Sequence, residues 1–235
     1  MCVKVRLLII MLALSQYLSS EEKALFEAID CGDEAKVFSI LTLVEEIDIN
    51  SRNSQQETPL LFAVRVDSKS QLKIIAYLLF FGADLTISDA QGYTPLHRAA
   101  SLITEDTGER LTLLLYAGAD CNSCTNIEGL TPLMVALKAG NEAALRVLLG
   151  QPGIDLGLQD NNGNTVLHWA FMLGNYEAIK LLERYGASYN SVNKLGQTPK
   201  DVIQLDSPEQ FRRRSDRSSL KLKDLLYSKL ISLCS

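Results

Sequence analysis

Thr94-Pro95-Leu96-His97-Arg98-Ala99 lies near the middle of the chain, and its pattern returns on both sides. Upstream stands Thr58-Pro59-Leu60-Leu61-Phe62-Ala63. Downstream stand Thr131-Pro132-Leu133-Met134-Val135-Ala136, Thr165-Val166-Leu167-His168-Trp169-Ala170 and a degenerate copy, Thr198-Pro199-Lys200-Asp201-Val202-Ile203. Successive threonines are 36, 37, 34 and 33 residues apart. A steady period of about 20–50 residues marks a repeat architecture, in which each period is one supersecondary unit.

Two further landmarks keep the same beat. Gly82-Ala83-Asp84, Gly118-Ala119-Asp120, Gly153-Ile154-Asp155 and Gly186-Ala187-Ser188 each close a leucine-rich run. The turns Asp89-Ala90-Gln91-Gly92, Asp160-Asn161-Asn162-Gly163 and Asn193-Lys194-Leu195-Gly196 each precede a threonine. Each Thr stands where a helix N-cap is wanted. Pro follows at the first helical position, where its missing N–H costs nothing. Gly after a second helical run suits a left-handed C-cap. Runs such as Leu72–Leu79 and Leu145–Leu149 have an apolar face that one repeat cannot bury alone, so stability comes from stacking.

This order of turn, T-P-L-H-x-A and paired helices resembles the ankyrin repeat family, over residues 21–206. The resemblance implies an all-α solenoid of about five to six stacked helix–turn–helix repeats with β-turn fingers. The units divide as 21–53, 54–90, 91–127, 128–161 and 162–194, with a partial repeat at 195–206. In the first unit, Glu21–Ala28 and Glu34–Leu43 are the expected helices. Lys200 and Asp201 place polar groups where inner repeats carry Leu and His, as a terminal repeat facing water requires.

The departures from the pattern carry expectations too. Gln56 replaces the turn glycine, which predicts a looser or differently shaped turn. Val166 replaces Pro in the fifth repeat. Repeats two and three have longer links between their helices, around 67–70 and 104–108, on the side opposite the fingers. These read as loop drift or as partner contacts. Cys121-Asn122-Ser123-Cys124 holds one residue more than the family spacing, which predicts a small bulge there.

In ankyrin proteins the concave face of turn tips and first helices contacts a protein partner. Carried onto this chain, that face consists of the turn residues, the residue after the turn glycine and two first-helix positions. Repeat two supplies Ser54, Gln55, Glu57, Phe62 and Arg65. Repeat three supplies Ala90, Gln91, Tyr93, Arg98 and Ser101. Repeat four supplies Ile127, Glu128, Leu130, Val135 and Lys138, and repeat five supplies Asn161, Asn162, Asn164, Trp169 and Met172. Aromatics, Arg and Met are enriched at interface centres. The expected partner-binding set is therefore Phe62, Tyr93, Arg98, Leu130, Lys138, Asn162, Trp169 and Met172. Trp169 is the only Trp in the chain, and its alternative role is packing against a neighbouring first helix.

Catalytic chemistry finds little to work with. The only two histidines, His97 and His168, fill the fourth motif position, where the family's imidazole bridges neighbouring turns. None is left for a Ser-His-Asp or Cys-His centre or a His-based metal site. Cys121 and Cys124 form a C-x-x-C without a second pair; packed thiols, a local disulfide and a redox pair are the readings it leaves open. No phosphate loop, metalloprotease motif or nucleophile elbow occurs. The expectation is a non-enzymatic scaffold with no cofactor or metal, working as a monomer.

The chain has 235 residues, 47% hydrophobic and 22% charged, which is enough for a sizeable core. A net charge of −5 argues against a nucleic-acid partner. Lys4 and Arg6 precede an unbroken apolar run from Leu7 to Leu14. Residues 1–20 thus read as a secretory signal peptide, with a helix capping the first repeat or an uncleaved anchor as alternatives. Cleavage would make the protein secreted or periplasmic; otherwise it is cytoplasmic. Residues 207–235 hold seven basic and three acidic residues, with leucines at roughly helical spacing. That tail reads as a capping helix or as a basic amphipathic helix for a membrane surface or partner groove.

Overall fold

The computed structural model of the chain describes residues 20–202, except 45, 46, 69 and 126. Nearly all of the N-terminal segment read as a signal peptide, and the whole 207–235 tail, lie outside the described residues. Among the described residues, ten helices form five antiparallel pairs: α1 (Ser20–Asp30) with α2 (Glu34–Leu43), α3 (Pro59–Arg65) with α4 (Gln71–Phe80), α5 (Pro95–Ser101) with α6 (Thr107–Tyr116), α7 (Pro132–Ala139) with α8 (Glu142–Leu149), and α9 (Val166–Met172) with α10 (Tyr176–Arg184). Among the described residues there are no strands, and no helix is long and apolar enough to cross a membrane.

Stacking follows from the motif. The first helices α1, α3, α5, α7 and α9 pack each on the next, and α2, α4, α6 and α8 do the same in a second layer. A single apolar cluster runs the length of the array, from Leu25 and Ile29 through Leu60, Leu96 and Leu133 to Leu167 and Leu182. Helix α7 lies between α5 and α9, and Pro132 to Leu137 are all buried. The chain is therefore an all-α ankyrin-type solenoid.

The caps match the residue types and divide into two kinds. Thr58 Oγ1 accepts a hydrogen bond from Leu61 N, and Thr131 Oγ1 from Met134 N, each at 3.3 Å. Where the fourth position is His, the hydroxyl turns to the imidazole instead, with Thr94 Oγ1 and Thr165 Oγ1 each 2.8 Å from the Nδ1 of His97 and His168. Helix pairs one, four and five are joined through Gly32-Asp33, Gly140-Asn141 and Gly174-Asn175. There the N–H of Asp33, Asn141 or Asn175 reaches back to the carbonyl of Ala28, Ala136 or Ala170. That geometry needs a left-handed residue, and Gly140 has φ 71°. Pairs two and three lack the glycine; the chain leaves α3 and α5 extended at Val66 and Leu102 and takes 66–70 and 102–106 to reach the next helix.

The finger at Gln56 corrects the expectation of a looser turn. Gln56 adopts φ 63°, the conformation its glycine counterparts take. Gln56 N donates to Asn53 O, and Asn53 N to Glu57 O, each at 2.9 Å, as Gly92 N does to Asp89 O. Asn53 Oδ1 also accepts from the N–H groups of Gln55 and Glu57. The turn keeps its shape because these bonds hold it, and Gln56 bears the strain.

The extra residue of repeat four is also placed differently. Asp84 to Asp89, Asp120 to Thr125, Asp155 to Asp160 and Ser188 to Asn193 all span the same interval, so Cys121–Cys124 is of normal length. The insertion lies in the finger. Thr125 N donates to Leu130 O, five residues on, where Asp89 and Asp160 reach only four residues, to Tyr93 and Asn164.

Candidate partner-binding face

The fingers and first helices are tied together by one carboxylate per repeat. Asp89 is buried at the head of its finger; its Oδ1 accepts from Gln91 N at 2.9 Å and Tyr93 N at 3.0 Å, which shapes the turn. Its Oδ2 accepts from the guanidinium of Arg98 on α5. Asp160 repeats the arrangement two fingers later. Oδ1 accepts from Asn162 N and Asn164 N, each at 2.8 Å, and Oδ2 accepts from Trp169 Nε1 at 2.9 Å. Arg98 and Trp169 both stand four residues after their motif threonine. Two unlike side chains thus hold the finger against its helix at the same place. The other repeats use the position three residues further on, with Arg65 Nε bonded to Glu57 at 2.9 Å and Lys138 Nζ to Glu128 at 3.0 Å.

Each cation also lies over a ring. The Arg65 guanidinium is 5.0 Å from the Phe62 centroid, Arg98 is 5.0 Å from Tyr93, and Lys138 is 5.5 Å from Trp169 across the repeat boundary. Such contacts are each worth about 0.5–1 kcal/mol at exposed sites. Phe62 stacks edge-on against Phe26, and Tyr93 against His97. The rings are half-buried, with the core behind them.

The expected set therefore divides. Phe62, Tyr93, Arg98, Lys138, Asn162, Trp169 and Met172 keep accessible surface on the finger and first-helix side; Lys138 is 44% exposed at its side chain and Met172 is 40% exposed. Leu130 does not. At 1% exposure it belongs to the apolar core. Glu57, Val135 and Asn164 are buried as well, so the residue after the turn glycine points mostly into the repeat. Trp169 is anchored by Asp160 and packed on the core, and part of its ring remains open.

The histidines bridge neighbouring turns. His97 Nε2 is 2.9 Å from Leu130 O and His168 Nε2 is 3.0 Å from Gln197 O, each in the next repeat. A carbonyl only accepts, so Nε2 carries the proton and Nδ1 accepts, and His168 Nδ1 takes a further bond from Thr165 N. Burial pushes the His97 pKa down to about 4, keeping the ring neutral. Cys121 and Cys124 are free thiols. Partial burial, then the nearby Asp120 carboxylate, push both thiol pKa values up, which disfavours the thiolate that redox chemistry needs.

One structural group escapes sequence reasoning. Arg110 on α6 is 1% exposed and donates from Nη1 to Val64 O at 2.7 Å and Val66 O at 2.9 Å, the last carbonyls of α3. Asp106 takes its Nε at 2.9 Å. Asn141 does the same one repeat later, donating from Nδ2 to Ala100 O at 3.2 Å and Leu102 O at 2.5 Å. The longer links of repeats two and three are thus built into the seam between them. Arg110 sits four residues after Asp106, and that spacing reads as an exposed helical ion pair.

Comparison with known proteins agrees with this architecture. A family model described as "Ankyrin repeats (3 copies)" matches residues 25–111 and 101–193. The mouse palmitoyltransferase ZDHHC13 is 32% identical over 178 residues, covering 75% of this chain and 26% of that protein. Human neurogenic locus notch homolog protein 1 is 31% identical over 150 residues, 64% of this chain and 6% of that one. The chain thus spans about a quarter or less of these relatives' length. Among solved structures, the crystal structure of EF0377, an ankyrin repeat protein, is similar with a TM-score of 0.67 at 26% identity, covering 78% of this chain and 92% of that one. Repeat register, helix pairing, bridging imidazoles and these matches lead to one conclusion: this chain belongs to the ankyrin repeat family.

Proposed function

We propose that this protein is a non-catalytic interaction scaffold that holds a protein partner against its finger and first-helix face. The observation that carries the reading is the row of half-open aromatic and cationic side chains already fixed in place. Arg98 and Trp169 are held by buried carboxylates, and Lys138 is held between Glu128 and the Trp169 ring. Ordering a long side chain on binding costs roughly 0.5–1.5 kcal/mol, and here much of that ordering precedes the partner. Asn161 and Asn162 at the finger tip, with Ile127 beside them, add exposed polar and apolar contact.

The test compares the intact array with two double variants in affinity capture and titration. Tyr93→Ala/Met172→Ala changes the proposed face, and Thr112→Ala/Arg146→Ala changes exposed positions on α6 and α8 of the second-helix layer. Loss of about tenfold or more in affinity for the first alone, with both melting temperatures retained, supports the reading. Equal retention by the first variant and loss by the second would place binding on the other side and refute it.

A further inference from the structure

The finger and first-helix face changes character along its length. Each motif ends in an alanine, Ala63, Ala99, Ala136 or Ala170, and Ala28 is its counterpart in repeat one. The bonds from Asp33, Asn141 and Asn175 N to Ala28, Ala136 and Ala170 O fix that register. The residue before each alanine reads Glu27, Phe62, Arg98, Val135 and Trp169 from repeat one to repeat five. The residue two after it reads Asp30, Arg65, Ser101, Lys138 and Met172. The rows are acidic in repeat one, cationic in two and three, and apolar in five. In repeat four, Lys138 is balanced by the exposed Glu128.

Three guanidiniums gather at the cationic end. Arg52 Nη1 donates to Gln56 O at 3.0 Å and Ser88 O at 2.9 Å, so it shares a finger with each of the others. Arg65 bonds Gln55 and Glu57 of finger two, and Arg98 bonds Asp89 and Gln91 of finger three. Glu57 and Asp89 are buried, and all four of their carboxylate oxygens already accept hydrogen bonds. Nη1 of Arg65 and Arg98, with Nε and Nη2 of Arg52, have no hydrogen-bond partner among the described residues. The counter-charges thus lie inward and the open donor edges outward. Three cations against two carboxylates leave a net +1 there.

We infer that fingers two and three form an anion subsite for a carboxylate-bearing segment of a protein partner, whose apolar residue lies over Trp169 and Met172. This rests on the scaffold reading above and specifies its partner. A guanidinium edge matches a carboxylate in shape and charge. Phosphate suits the place less, since a dianion would face Glu57 and Asp89 behind a net charge of only +1. A nucleic-acid backbone would run onto Glu27 and Asp30. Packed helices lie about 8–10 Å apart, so Trp169 stands roughly 16–20 Å from Arg98, two repeats away. An extended partner segment covers that in about five or six residues.

The experiment titrates the full-length chain with two fluorescein-labelled peptides, EDEGSGSLF and KRKGSGSLF, read by anisotropy. The acidic peptide is expected to bind about tenfold more tightly than the basic one. Most of that advantage should vanish as salt rises from about 0.05 to 0.5 M. Arg52→Gln strands no carboxylate and should weaken the acidic peptide about fivefold. Asp30→Lys, at an exposed position, lengthens the cationic strip and should tighten it by a similar factor. Asp30→Lys keeps the test alive even if Arg52→Gln fails to fold, and melting temperatures read the fold of both. Equal binding of the two peptides, or indifference to both charge variants, would overturn the subsite. If Tyr93→Ala/Met172→Ala still weakened both peptides, the face itself would survive that result. Peptide binding indifferent to Tyr93→Ala/Met172→Ala would refute the face as well. No binding of the acidic peptide at millimolar concentration, tighter binding of oligouridylate, or its displacement by equimolar inorganic phosphate would each overturn the assignment.

Discussion

Repeat three solves a problem differently from repeat four. Every first helix ends with carbonyls that need donors, because the last turn has no partner within the helix. In repeat four a Gly140-Asn141 pair turns the chain at once, and the short amide of Asn141 reaches Ala100 O and Leu102 O of the repeat before. In repeat three the five residues 102–106 set α6 off differently, and the long guanidinium of Arg110 reaches Val64 O and Val66 O instead. The acceptors stand at equivalent places, six and eight residues after their threonines. The difference teaches that link length and donor length vary together. The link is thus part of the seam between repeats and not slack in the chain.

The sharpest way to break this comparison is to remove each donor. Arg110→Met keeps the apolar stem but leaves two carbonyls and Asp106 without it. Loss of one partner from a buried charged network costs about 3–5 kcal/mol. Asn141→Ala removes neutral hydrogen bonds and should cost about 1–3 kcal/mol. Urea unfolding of both variants checks the ranking, and equal costs would show that the two seams are energetically alike.

A smaller effect tests the boundary between the two halves, where His97 of repeat three donates to Leu130 O of repeat four. Its pKa is about 4 when folded and 6.5 in the reference state, so between these values the unfolded chain binds more protons. Stability is thus fully present above pH ~6.5 and is lost as pH falls toward 4. The loss is on the order of 3 kcal/mol once both are passed. Urea melts at pH 7 and pH 4.5 read this directly, and a His97→Gln chain should be less stable at pH 7 with a flatter slope.

The smallest effect has the opposite sign. Gln56 is the one non-glycine described residue at positive φ. Gln56→Gly should stabilise the repeat-two finger by about 1 kcal/mol while leaving its hydrogen bonds in place. A raised melting temperature is the expected reading; a lowered one would show that the Gln56 side chain contributes contacts worth more than the strain.

The threonine period and the Pro at the first helical position made the solenoid legible, since each acts through residues close in sequence, and the family resemblance supplied the bridging role of the two imidazoles. The residues that went astray depend on distance. Leu130 was expected outside by its place after the turn glycine, but that position turns inward in other repeats too, where Glu57 and Asn164 are buried. Gln56 announced an altered turn, yet the Asn53 side chain and the bond from Arg52 to Gln56 O hold the turn in shape. Arg110 drew no expectation from the sequence, because the acceptors that bury it stand 44 and 46 residues away. The finger clamps were half visible. Tyr93, Arg98 and Trp169 were singled out, but not the buried Asp89 and Asp160 that hold Arg98 and Trp169.

The Arg110 seam also bears on how such an array can lengthen or shorten. Ala100 O and Leu102 O stand where Val64 O and Val66 O do, yet a short amide serves the first pair and a guanidinium the second. A unit inserted at either junction must bring a donor of one kind or the other, or the two carbonyls of the repeat before it are stranded.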